Sequence, residues 1–233
     1  MSELPEDEDA FDDILSRLPV KDLLRFRCVS KRWCALIDSP RFIKLQLNRS
    51  IETGTNLSLI VRDDSLYSID LDVLDDIFNL GGGISSFPLL DVAEFDNPIE
   101  SESYWTYVEG GSCNGLVCLR RFLDEAIAVL NPSTKEYKIL PVTPLSGGFF
   151  TFLGIVYDSA GDDYMVVTIL EFWEDPDSLP AEVMVFSLKS NMWRRIESFD
   201  YNLYWQWDSP RSRSVLVDGA LHWLACPDSS ELL

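Results

Sequence analysis

Apolar and polar positions follow two different rhythms along this chain, and the rhythm changes near residue 50. Before it, the spacing is helical. Asp12 to Leu18 reads as a short helix stopped by Pro19, and Leu23 to Val29 as a second. Ser30 is placed to cap a third, whose apolar positions Val29, Trp33, Leu36 and Ile37 recur at the i, i+4, i+7, i+8 spacing of one helical face. Ser39 caps a fourth, with Pro40 at its first position, where the missing N–H costs nothing. Short helices of this size cannot bury both their leucines and Trp33 among themselves. The segment is therefore expected to keep an apolar face for a partner.

From Asn48 to Asn56 the composition shifts, and beyond it short runs rich in Val, Ile, Phe, Tyr and Trp are broken by turn residues. Strands are expected at Leu57–Val61, Leu66–Leu71, Gly115–Leu119, Ala126–Leu130 and Phe152–Tyr157. Further strands fall at Tyr164–Leu170, Glu182–Leu188, Met192–Ile196, Val215–Val217 and Leu221–Leu224. Asp70–Gly83, Asp91–Ser103 and Glu174–Pro180 read as acidic loops. Such a series suits an all-β sandwich, barrel or propeller. A faint repeat favours the last. Val129-Leu130-Asn131-Pro132-Ser133-Thr134-Lys135-Glu136-Tyr137-Lys138 is echoed, 56 residues on, by Val185-Phe186-Ser187-Leu188-Lys189-Ser190-Asn191-Met192-Trp193-Arg194. That offset is near the roughly 50-residue spacing of kelch-type propeller blades.

Charge sharpens the division. Residues 17–49 carry nine Lys or Arg against Asp22 and Asp38, while the first thirteen residues hold seven acids and no base. Residues 50–233 hold thirty acids and ten bases, so the net −20 resides there. Such a domain repels nucleic acid and anionic lipid. No apolar run reaches the roughly 18 residues that a membrane span needs. The acidic amino end is the opposite of a secretory or transit signal. Five scattered cysteines (28, 34, 113, 118 and 226) favour reduced thiols, and hence the cytoplasm or nucleus.

Candidate chemistry is thin. Gly111-Ser112-Cys113-Asn114-Gly115 matches a nucleophile elbow on paper, but the run after it is strand-like and the sole histidine is His222. A core cysteine beside turn glycines is the expectation. Cys113 and Cys118 lack a second ligand pair for zinc, and Asp158, Asp162 and Asp163 around Gly161 lack calcium-loop spacing and read as a polar hairpin turn. No cofactor and no catalytic residue is expected. Trp105, Trp173, Trp193, Trp205, Trp207 and Trp223 read mostly as packing residues, with Tyr204 to Trp207 a candidate exposed target contact.

Taken together, Leu4-Pro5-Glu6-Asp7, Ile14-Leu15-Ser16-Arg17-Leu18-Pro19-Val20-Lys21, Leu23 to Trp33 and Leu36 to Phe42 resemble the F-box of plant F-box proteins. The rest resembles their F-box-associated, kelch-like domain. The matching pieces are Gly111 to Leu119, Asn131-Pro132-Ser133-Thr134 with Leu140-Pro141, Tyr157-Asp158 with Asp163-Tyr164, Val185 to Trp193, and Gly219-Ala220-Leu221-His222-Trp223-Leu224. The fold expected is α+β in two parts, a small helical F-box followed by an incomplete, antiparallel all-β, propeller-like domain. The boundaries expected are an acidic tail at 1–13, the F-box at 4–48, a linker at 49–56, the β domain at 57–225 and a tail at 226–233. About three blades' worth of motifs are present where closure takes at least about four. An open β domain is therefore expected, as in a truncated isoform or an incomplete gene model.

The resemblance implies a non-catalytic adaptor. Such proteins bind the Skp-type adaptor of an SCF (Skp–cullin–F-box) cullin–RING ubiquitin ligase and present a target protein, whose identity the sequence does not encode. Carried over by motif, the docking residues are Leu4, Pro5, Ile14, Leu15, Leu18, Pro19, Val20, Leu23, Leu24 and Trp33. Leu15, Phe26, Val29 and Leu36 have an equal claim as a mini-core. Arginines 17, 25, 27, 32 and 41 read as a solvated rim, and the basic segment as a complement to an acidic adaptor. Two rivals stand: a basic helix-turn-helix that binds nucleic acid, and an F-box protein that occupies the adaptor without a target.

Overall fold

The computed structural model describes residues 8–62, 65–71, 93–99, 106–107, 111–121, 126–144, 150–171, 181–199, 202–203, 214–223 and 225–226. These begin with helices α1 (Glu8–Leu15), α2 (Val20–Phe26), α3 (Lys31–Ile37) and α4 (Pro40–Thr53). The expected caps are in place. Ser30 accepts a hydrogen bond from the Trp33 N–H and Ser39 one from the Phe42 N–H, each at 3.2 Å. Several boundaries differ from expectation. α1 reaches back at least to Glu8, inside the acidic stretch, and ends at Leu15 rather than Leu18, while α2 runs Val20–Phe26 rather than Leu23–Val29. Residues 49–53, expected as linker, continue α4 as far as a left-handed Gly54. α2 starts directly after Pro19, whose ψ of 147° keeps it outside the helix. Val29 precedes the Ser30 cap, so it cannot share the α3 face and is 62% exposed.

The described chain divides into two units, one of residues 1–96 with 132–135, the other of 97–131 with 136–233. In the first unit, β1 (Ser58–Arg62), β2 (Leu66–Asp70) and β3 (Ala93–Phe95) form an antiparallel sheet in that order. β3 lies in a stretch read as an acidic loop. Its three residues are too few for an alternation to show, yet Phe95 is buried.

In the second unit, β4 (Thr106–Tyr107), β5 (Ser112–Cys113), β6 (Leu116–Arg121), β7 (Ile127–Asn131) and β8 (Glu136–Ile139) make one antiparallel sheet. β9 (Phe150–Asp158), β10 (Asp163–Glu171), β11 (Ala181–Ser187) and β12 (Met192–Phe199) make another, each strand pairing with the next. β13 (Asn202–Leu203) pairs with β16 (Ala225–Cys226), and β14 (Val215–Val217) with β15 (Ala220–His222). The sequence repeat is a structural one. Leu130 faces Tyr137 as Phe186 faces Trp193, and the turns between them place Lys135 and Asn191 alike in the left-handed region, at φ 61° and 57°.

The two larger sheets share a core. Cys113, Cys118, Ile127 and Val129 from one pack with Leu153, Ile155, Val166 and Phe186 from the other. The Trp193 indole N–H donates to the Pro141 carbonyl at 2.8 Å, and the Lys138 ammonium lies 5.7 Å from the Phe186 ring centre. Gly154 of β9 admits the hairpin of β14 and β15. A Cβ there would stand 2.8 Å from Leu221 Cδ1 and 2.9 Å from Ser214 Oγ.

Candidate docking site

The helical module closes over a small core of its own. Leu15, Leu23, Ile37 and Phe42 are buried, with Phe11, Leu18, Phe26, Trp33 and Leu36 packed around them. Trp33 is gripped edge-on by two rings, Phe11 at 5.9 Å and Phe26 at 5.7 Å between centroids. That arrangement suits the quadrupoles of aromatic rings.

Burial sorts the sequence-derived docking residues. Leu15 (2% exposed) and Leu23 (4%) are interior, so they support a surface without forming it. For Leu15 the mini-core reading prevails. Trp33 is half-buried and mostly structural. Ile14 is 60% exposed and Pro19 is exposed, while Leu18, Val20 and Leu24 are half-buried. These five are the sequence-derived candidates that keep apolar surface open. Leu4 and Pro5 lie outside the described residues. Sequence reasoning missed Ile43 (53%) and Ile51 (56%), which with half-buried Leu47 recur every four residues along α4. Their spacing was available as a signal, but the change of composition at Asn48 disguised the helix's length.

The arginines 17, 25, 27 and 41 form a solvated rim as expected, and each of them also pairs with a carboxylate. Arg17 and Arg49 both reach Asp13, each at 2.7 Å, and Arg41 reaches the buried Asp12 at 3.2 Å. Arg25 pairs with Asp22 at 3.2 Å and Arg27 with Asp38 at 2.8 Å. Hydrogen bonds from Arg49 and Arg17 hold the Asp13 carboxyl below its ordinary range. Five of the nine cations between residues 17 and 49 are therefore engaged by carboxylates of the same module. Two of those carboxylates come from the acidic stretch.

The residues weighed for chemistry sit in structural roles. Cys113 is buried in the core, and burial pushes its thiol pKa up, the reverse of what a nucleophile needs. His222 is exposed on β15, its Nδ1 3.1 Å from the Ala220 carbonyl. Around the turn between β9 and β10, Asp158 accepts from the Ala160 N–H, and Asp162 accepts from the Tyr157 hydroxyl at 2.6 Å. Asp163 accepts from the Ser187 hydroxyl and the Lys189 N–H, and so holds the next turn. These carboxylates serve hairpins. Among the described residues no cluster of three metal-ligating side chains occurs, and no helix is long and apolar enough to cross a membrane. Trp193 and Trp223 are packing residues as expected; Trp105, Trp173, Trp205 and Trp207 lie outside the described residues.

A small helical module with apolar side chains on its outer face, followed by antiparallel meanders at a blade-like repeat, defines a two-part architecture of helical module and propeller-like β domain. Residues 1–45 match the F-box domain, and residues 57–232 match the F-box associated beta propeller domain. The chain belongs to the F-box proteins that carry this associated domain. The F-box protein CPR1 of Arabidopsis thaliana is 35% identical over 93% of this chain and 52% of its own length. A second Arabidopsis thaliana F-box protein is 30% identical over 96% of the chain and 55% of its own length. An F-box/kelch-repeat protein of the same plant is 28% identical over 95% and 59%. The chain thus spans about half the length of the curated relatives it matches. No solved structure matches it.

Proposed function

We propose that this chain is the substrate-recognition subunit of an SCF ubiquitin ligase. Its helices dock a Skp-type adaptor and its β domain presents a target protein for ubiquitination. The supporting observation is the outward face of the helical module. Ile14, Pro19, Val20 and Leu24 lie partly or largely open above the module's core, and Leu18, which packs against it, is open on its other side. Open leucine and isoleucine on a small helical domain are best explained by a second polypeptide. Tethering a target close to the ligase raises its effective concentration, so the chain needs no catalytic group of its own. Free cysteines at 28, 34, 113 and 118 suit a reducing compartment, cytoplasmic or nuclear.

The test is capture of a purified Skp-type adaptor by the full chain. Leu18→Asp and Ile14→Asp should each weaken capture by about 2 kcal/mol or more if these residues are hot spots. Unchanged capture by both variants would sink the docking assignment. The nucleic-acid reading is opposed by the net −20 of residues 50–233, which repels a polyanion.

A further inference from the structure

We propose that Arg41 and Arg49, both on α4, are positioning residues that clamp α1 in place through Asp12 and Asp13 and thereby set the orientation of the docking residues Ile14 and Leu18. This rests on the adaptor-docking reading above and adds to it how the docking face is held.

Burial alternates along α1 and the turn that follows it. Asp12, Leu15 and Ser16 are buried and Phe11 half-buried, whereas Ala10, Asp13, Ile14 and Arg17 face outward. The inward face is therefore half polar. An eight-residue helix does not persist alone in water, so α1 depends on what grips that face. Phe11 and Leu15 supply an apolar grip at one side. On the other, α4 supplies the bonds. Arg41 pairs with Asp12, whose side chain is only 4% exposed, and Arg49 pairs with Asp13 while also donating to Ser16 Oγ at 3.2 Å.

The two pairs differ in kind. Asp12 is a buried carboxylate that meets Arg41 through Oδ2, and its Oδ1 has no hydrogen-bond partner among the described residues, so removing Arg41 leaves a buried charge uncompensated. Asp13 is half-exposed and retains Arg17 on its own helix when Arg49 is lost. Arg17 cannot replace Arg49 in the clamp, since it moves with α1. Loss of either α4 arginine should loosen α1 while leaving α2 and α3 in place, because the apolar core runs through Leu23, Ile37 and Phe42 without them. Adaptor binding then requires α1 to be re-ordered first, and the apparent Kd rises as the docking-competent fraction falls.

The experiment measures adaptor affinity and hydrogen exchange on the full chain. Arg49→Ala and Arg41→Ala should raise the Kd about three- to tenfold. Amide protection should fall in residues 8–17 and hold in residues 20–37. Arg49→Lys, which restores a cation opposite Asp13, should recover most of the affinity. Asp13→Asn, nearly isosteric, should weaken binding in the same direction, and covers the case of an arginine variant that fails to fold. A Kd within twofold of wild type for Arg49→Ala and Asp13→Asn overturns the clamp, as does a protection loss spread evenly over all four helices. If the wild-type chain itself captures no adaptor, it is the docking reading that has failed, and the clamp falls with it.

Discussion

At the scale of single residues, Asp13 is the group most informative about pH. Its carboxyl lies below the ordinary value of 3.8 because Arg49 and then Arg17 donate hydrogen bonds to it. The neighbouring carboxylate, Asp12, faces Arg41. A folded-state pKa depressed below the unfolded one gives stability that is fully present above the unfolded value. It is lost as pH falls through the folded value. Protection of α1 against hydrogen exchange should therefore be unchanged from neutral pH to about 5. It should fall away below 3.8, and Asp13→Asn should remove that step. Trp33 behaves differently. Held between Phe11 and Phe26, it is a packing residue, and Trp33→Ala should cost about 2–4 kcal/mol in chemical denaturation of the helical module. Loss of adaptor capture by that variant would reflect unfolding as much as lost contact, so Ile14→Asp, at a side chain 60% exposed and outside the core, is the cleaner probe.

At the scale of elements, the two copies of the strand–turn–strand unit make a matched experiment. Lys135 and Asn191 occupy the same left-handed turn position, but a lysine tolerates it less well than an asparagine. Lys135→Asn should stabilise the chain by roughly 0.5–1 kcal/mol, while Asn191→Ala should destabilise it by a similar amount. Equal responses at both positions would contradict the shared geometry. Gly154 is the complementary case, a position chosen for space. Gly154→Val should cost about 1–3 kcal/mol, since Leu221 and Ser214 lie within 3 Å of where its side chain must begin.

These elements also show what sequence could and could not reveal. Long strands such as β9 and β10 announce themselves by continuous apolar runs, and Ser30 and Ser39 announce helix starts by their chemistry. β3 has three residues, and β5 and β13 two each, too short for any period to register. Docking residues were legible as a motif, but the motif does not sort them into core and surface. Leu15 and Ile14 are neighbours in sequence and differ only in which way α1 is rotated. The i, i+4, i+7 spacing of Phe11, Leu15 and Leu18 marks the inward face locally, whereas the partners of Asp12 and Asp13 on α4 lie far along the chain and leave no local signal.

At the scale of the whole chain, charge separates the adaptor reading from its nucleic-acid rival. A DNA-binding segment gains affinity by releasing counterions, which needs lysines and arginines free to meet phosphate. Five of the nine cations in residues 17–49 pair with carboxylates of the module, and drawing Arg41 away would leave the buried Asp12 without its cation. The remainder of the chain adds an excess of twenty negative charges, thirty acids less ten bases. Both terms oppose approach to a polyanion, and both weaken as salt screens them. Binding to a DNA duplex should thus be undetectable at about 0.15 M salt and should not acquire the steep inverse salt dependence of phosphate readers. Adaptor capture, if carried by Ile14, Leu18 and their neighbours, should decline only modestly over the same salt range, because apolar burial is not screened. A titration that found the opposite ordering, with DNA retained and the adaptor lost as salt rises, would reverse the assignment of this surface.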